Sequence, residues 1–385
     1  MNRRGQPINT DNVVACYVVC ESCPVSNICS AFFTHSLLPQ PRKSYNRFPT
    51  TTMTKAWKEG QLQSLAITYE VRQRELDSSL DLVEFPDPAP SHIALLRIYT
   101  DVLDGTDTPP AAAKRLNKWV VSALDNYTAY DISYAYHEVL GMLFSGAREL
   151  SSQKHLKILA DLTVELANLP DVYNTTDTPM EFKGGNIVVQ PGERIKLPCF
   201  TGRELWSSLP DFVGYMMEDL YGPSLGTNVV TGTGYADEQR RLHREGEDKY
   251  TNVNTYAALI AQQRPPKESP LSCCVDYAFA VFAYIEHGQD TNRGRHAHLV
   301  VRAVAAWLTI AGEELVAAGS PTCNYSYPGS SWEPEGGGNT VNIKRLRFWK
   351  DAIQQLRESR RLSQEAVDAT VDAAAAIDRL IAVQG

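Results

Sequence analysis

The 385-residue chain has no apolar run near the roughly eighteen residues that a spanning helix needs, which sets aside an integral membrane protein. Nor has it an excess of positive charge. Lys and Arg number 37 against 45 Asp and Glu, a net of -8, whereas a dedicated nucleic-acid binder needs a basic face for phosphates. The phosphate-cradling and dinucleotide loops are also missing. Gly222, Gly226, Gly232 and Gly234 match neither spacing, and no strand leads into them, so they read as loop residues. No repeat of fixed period marks a solenoid. What remains is the composition of a soluble globular protein, 43% hydrophobic and 21% charged, long enough for a sizeable core.

Charge and cysteine are unevenly placed. Residues 1–52 hold five basic and two acidic residues, +3, which leaves -11 for the remaining 333. Four of the eight cysteines, Cys16, Cys20, Cys23 and Cys29, also lie there, among Pro7, Pro24, Pro39, Pro41 and Pro49. Cys16-x3-Cys20-x2-Cys23 has the spacing with which radical S-adenosylmethionine enzymes hold a four-iron cluster. Those enzymes follow the triad with alternating strands and helices, and nothing downstream alternates in that way, so the match is read as coincidental. No second ligand pair lies at zinc-finger spacing. No metal and no cofactor is therefore expected. The apolar stretch 13–20 is a poor secretory core and the prolines interrupt an amphipathic transit helix, so the expected location is the cytoplasm, with the nucleus as alternative. Residues 1–52 are expected to be a disordered tail, or sequence upstream of a true start at Met53.

From Met53 onward the pattern is helical. Apolar residues recur at helical spacing over 56–85, 92–103, 111–126, 131–145 and 153–169, with prolines between them. Residues 184–197 read as a small hairpin turning at Pro191-Gly192, or as a loop insertion. A helix follows at 211–221. Residues 222–248, glycine-rich and then strongly charged, read as an exposed loop. Two very apolar helices are expected at 273–287 and 295–318, then two more at 343–356 and 363–383. The predicted fold class is all-α, an irregular multi-helix bundle with a small hairpin. It is organised as one helical domain over 53–385, or as two packed halves, 53–170 and 198–385.

Several residues could carry chemistry. Tyr127, Tyr130, Tyr134 and His137 line up along one helix, which makes Tyr134 and His137 the candidate acid and base. His137-Glu138 opens like a zinc-protease motif, yet Gly141 stands where the second histidine belongs. His296 and His298 diverge by about 200 degrees on a helix and do not suit joint metal binding. Asp276 and Arg302 each sit in an apolar helix, where a buried charge must be paired, so a mutual ion pair is predicted. In 345–350, Arg345, Arg347 and Lys350 surround Phe348 and Trp349, the composition of an anion or partner site, or of a helix that buries Trp349 and leaves its cations in solvent.

The C-terminal half also resembles a known family. Asp-Tyr-Ala-Phe-Ala-Val-Phe-Ala-Tyr-Ile-Glu (276–286), the apolar block 300–315 and Lys-Arg-Leu-Arg-Phe-Trp-Lys (344–350) resemble the fungal family catalogued as domain of unknown function 3632. Arg203-Glu204-Leu205-Trp206 with Leu209-Pro210, and the block Asn252-Val253-Asn254-Thr255-Tyr256, are similar too. The resemblance runs over about 110–380. It departs at Thr251 and Leu346, where the family prefers Trp, and residues 1–52 have no counterpart. It implies an intracellular, mostly helical fungal protein and brings no activity.

Two functions fit these residues. The first is a binding or scaffold protein whose groove among Trp206, Asn252, Asn254, Tyr256, Trp307, Arg345 and Trp349 accepts a protein segment or an apolar small molecule. The alternative is an isomerase- or cyclase-like enzyme of secondary metabolism with Tyr134 and His137 on the wall of a pocket.

Overall fold

The computed structural model describes residues 50–76, 87–122, 129–182, 187–197, 204–220, 235–321 and 328–384. The expectations for the four N-terminal cysteines and for Gly222 to Gly234 lie outside the described residues.

Prolines open the early helices and a glycine closes one of them. Pro90 and Pro109 occupy first-turn positions, where a missing N–H costs nothing, and Gly105 with φ 80° ends the first of these helices in the left-handed conformation. The order is α1 (Thr50–Leu76), α2 (Pro90–Asp104), α3 (Pro109–Val121), α4 (Ala129–Glu149), α5 (Gln153–Ala167), β1 (Met180–Phe182), β2 (Ile187–Val189), α6 (Phe212–Leu220), α7 (Tyr235–Ala261), α8 (Asp276–Glu286), the short α9 (Asn292–Arg295), α10 (Val301–Ala318), α11 (Ile343–Glu358) and α12 (Gln364–Gln384). The fold is all-α with one two-stranded antiparallel sheet. No helix among the described residues is long and apolar enough to cross a membrane.

Helix α7 occupies the centre. It packs on α4, α5, α6 and α10, so helices from both halves of the chain meet one core that contains Tyr256, Phe144, Phe279, Phe282 and Trp307. Helices α10 and α12 share the most extensive helix–helix contact among the described residues. Gly312 permits it, because a Cβ there would stand 2.9 Å from the Leu380 side chain.

Three expectations need correction. Helix α1 starts at Thr50, inside the segment assigned to the leader. The hairpin pairs Met180 with Val189 and Phe182 with Ile187, so it does not turn at Pro191-Gly192. That dipeptide makes a second turn, Gly192 having φ 79°, after which the chain pairs back along Val172 and Asn174. Finally, residues 235–248, expected as a loop, are the first half of α7. Arg, Glu, Gln and Lys are good helix formers, and the Arg241–Glu245 pair supports the exposed turn. The apolar stripe that identifies a helix begins only beyond them.

Candidate functional site

The tryptophans carry interior hydrogen bonds. The Trp206 indole donates to Asn117 Oδ1 at 2.7 Å, Trp307 to Asn254 Oδ1 at 2.9 Å and Trp349 to Glu286 Oε1 at 2.6 Å. The other three, Trp57, Trp119 and Trp332, donate to Ser145, to the Ser91 carbonyl and to the Gly338 carbonyl. All six indoles in the sequence are thus satisfied. The asparagine block acts alike. Asn252 donates to the Arg148 carbonyl, Asn254 to the Tyr250 carbonyl, and the Tyr256 hydroxyl shares a 2.6 Å bond with Thr163. Trp206, Asn252, Asn254, Tyr256, Trp307, Arg345 and Trp349 are all buried, so the groove expected among them is filled core.

The expected ion pair is corrected in its partners. Arg302 pairs with Asp248, with Glu247 3.9 Å away, and not with Asp276. Asp276 opens α8, where the helix dipole favours a carboxylate. The buried pair is Arg345 with Glu286, at 2.7 Å from Nε to Oε1 and 3.1 Å from Nη2 to Oε2, with side chains 2% and 0% exposed. Arg345 also donates to the Asn339 carbonyl and lies over the rings of Phe279, Trp332 and Trp349. The second Glu286 oxygen takes the Gly329 N–H. Only glycine fits at 329, since a Cβ would fall 2.3 Å from the Glu286 backbone. Each guanidinium nitrogen and each carboxylate oxygen of this buried pair has a partner within the protein, so Arg345 and Trp349 hold α11 to α8.

Two other polar groups show the same economy. The His137 Nδ1 faces the Ser133 carbonyl at 2.7 Å and Nε2 faces Asp211 at 3.2 Å, so both ring nitrogens are engaged. Asp211 is presented by a turn in which Leu209 and Asp211 have φ of 39° and 60°. Tyr134 is buried. Glu247 is different. Its Oε1 has no hydrogen-bond partner, and burial, partly opposed by Arg302, pushes its carboxyl up to about 7.

A cavity lies on the outer side of α11. It measures about 720 Å³ and runs between α11 and the segment 287–298. Ile285, Phe348, Ala352 and Leu356 contribute its apolar surface, Phe348 resting on Trp332 with centroids 5.2 Å apart. His287, His298, Gln289, Lys344, Arg347 and Arg361 supply donors and cations, while Glu335 and Asp351 supply the acids. Desolvation by burial holds both histidines below the ordinary imidazole range, so each is neutral at pH 7. Ser330 N–H donates to His287 Nδ1 at 3.2 Å, which puts the His287 proton on Nε2. His298 Nδ1 faces the Arg295 carbonyl at 3.0 Å, which leaves its Nε2 as the acceptor. A second, flatter cleft is bordered by Val341, Asn342, Ile343, Lys344 and Gln384. Neither cleft has Tyr134 or His137 on its wall. Among the described residues no three His, Cys, Asp or Glu are grouped to hold a metal.

The cleft was not foreseen. Arg347 and Phe348 belong to the block read as a partner site, but His287, Gln289, His298, Asp351 and Arg361 carry no local signature. Their assembly depends on separate segments, 285–289, 297–298, 331–335 and 344–361, meeting in space.

No curated protein and no solved structure matches this chain. A family model described as "Protein of unknown function (DUF3632)" matches residues 141–353. That span holds Asn254 and Trp307, whose bond joins α7 to α10, and Glu286, Arg345 and Trp349, whose bonds join α8 to α11. More than half of the sequence is covered, core network and most of the cleft included, and the chain belongs to the DUF3632 family.

Proposed function

We propose that this protein binds a small molecule in the cleft between α11 and residues 287–298. The observation that carries the reading is the apolar floor of Ile285, Phe348, Ala352 and Leu356 in a cavity of about 720 Å³, within the range of small-molecule sites. The aromatic and asparagine residues elsewhere are engaged in the core, and both nitrogens of His137 are engaged too. A concave surface with neutral histidine donors and acceptors at its edge suits recognition. An intracellular setting agrees with the adjacent free thiols of Cys273 and Cys274.

The test is a titration with Nile red, a neutral apolar dye, into the full chain and into Ala352→Phe, which fills the floor. Saturable one-to-one binding by the natural protein and its loss in the folded variant are expected. Equal dye binding by both would remove the cleft as the site.

A further inference from the structure

Charge is distributed against the trend of the molecule at this cleft. Its lining holds three cations, Lys344, Arg347 and Arg361, against two acids, Glu335 and Asp351, a local net of +1 in a chain whose net charge is -8. Neighbouring cations of α11, and one of the three on the lining, are engaged. Arg345 is locked to Glu286, Lys350 pairs with Asp378 at 2.6 Å, and Lys344 lies 3.9 Å from Glu335. Two cations on the lining have no acidic partner among the described residues: Arg347, and Arg361, whose guanidinium donates to the neutral Gln289 at 3.3 Å. Arg361 reaches the lining through a turn in which Arg360 has φ 56°, a conformation that disfavours side-chain-bearing residues.

We infer that the cleft recognises a small molecule bearing a multiply charged anionic group of the phosphate or polycarboxylate type, bound by Arg347 and Arg361, with its apolar part on Phe348 and Leu356. This deepens the reading of the cleft as a ligand site and rests on it. Guanidinium forks match the paired oxygens of both anions, and two arginines without an acidic partner on one lining favour a ligand that carries more than one negative charge. The His287 Nε2 proton is a further donor to such oxygens. Asp351 lines the same cavity and works against the anion, while offering an acceptor to a hydroxyl or amino group elsewhere on the ligand. The opposed signs of Arg347 and Asp351, one turn apart on α11, make the inference testable in both directions.

The probes are inorganic pyrophosphate and citrate, titrated calorimetrically into the full chain at low ionic strength. Arg347→Ala and Arg361→Ala should each weaken binding of the preferred probe about tenfold, the scale of one charge-assisted contact. Asp351→Asn should strengthen it several-fold. Arg357→Ala removes an exposed arginine of the same helix that does not line the cavity, and should leave affinity within about twofold. Pyrophosphate preference would identify a phosphate ligand and citrate preference a polycarboxylate. Absence of binding by either probe, or an Arg357→Ala loss equal to that of Arg347→Ala, would overturn the inference. If Nile red still binds in that case, the cleft remains a ligand site and only its anion specificity falls.

Discussion

Two arginines on α11 stand two residues apart and meet opposite environments. Arg345 faces inward, 2% exposed, saturated by Glu286 and three aromatic rings. Arg347 is exposed on an open cleft and forms no ion pair among the described residues. The two share a residue type, a helix and a neighbourhood rich in aromatics. Their difference shows that an arginine-and-aromatic block does two jobs when it straddles a helix, one face holding the fold and the other left available.

The inward face should be the costlier to break. Glu286→Gln leaves the Arg345 cation buried opposite a neutral amide, and removing one member of a buried pair costs about 3–5 kcal/mol. Urea unfolding would measure this, and a loss under about 1 kcal/mol would mean that the pair is not needed. Next in size is the bond between Trp307 and Asn254. Each of Trp307→Phe and Asn254→Leu should cost about 1–3 kcal/mol by leaving a buried polar atom unpaired. The double variant should cost less than their sum, because the second change removes the orphan left by the first. Additive losses would show that the bond contributes nothing of its own.

Glu247 offers a subtler contrast, since it is buried like Glu286 but incompletely paired. Its carboxyl is raised from 4.5 to about 7 in the folded chain, so folding favours the protonated form. Its contribution to stability is full below pH 4.5 and is lost as pH rises through 7. Glu247→Gln should therefore match the natural protein in acid and exceed it by about 1–3 kcal/mol at pH 8. A stability difference between the two chains that does not change from pH 4 to 8 would contradict this account of the site.

Most of the helical architecture was legible because it rests on local physics. Apolar stripes and prolines located α2, α5, α11 and α12 closely, as burial of one face demands a 3.6-residue period. The first half of α7 was not legible, since residues 235–248 carry charges and no stripe, and their helix is extended from the apolar half that follows. For the site, the rule that a charge in an apolar helix needs a partner was sound, and its partners were not. The expected partner of Arg302 is Asp276, whereas Glu286, ten residues on in the same apolar block, holds Arg345 at a separation of 59 residues. A sequence shows that a pair must exist and not which segments will meet. The cleft is harder still, because its lining comes from 285–289, 297–298, 331–335 and 344–361, and only the fold brings them together.

The smallest effect on stability should belong to the outward face, and it supplies the most direct test. Unfolding free energies of Arg345→Met and Arg347→Ala should be measured side by side in urea. Arg345→Met should lose about 3 kcal/mol or more by leaving Glu286 unpaired, and Arg347→Ala should stay within about 0.5 kcal/mol of the natural chain. Equal losses, or a larger loss from Arg347→Ala, would contradict the division of α11 into a structural face and a binding face.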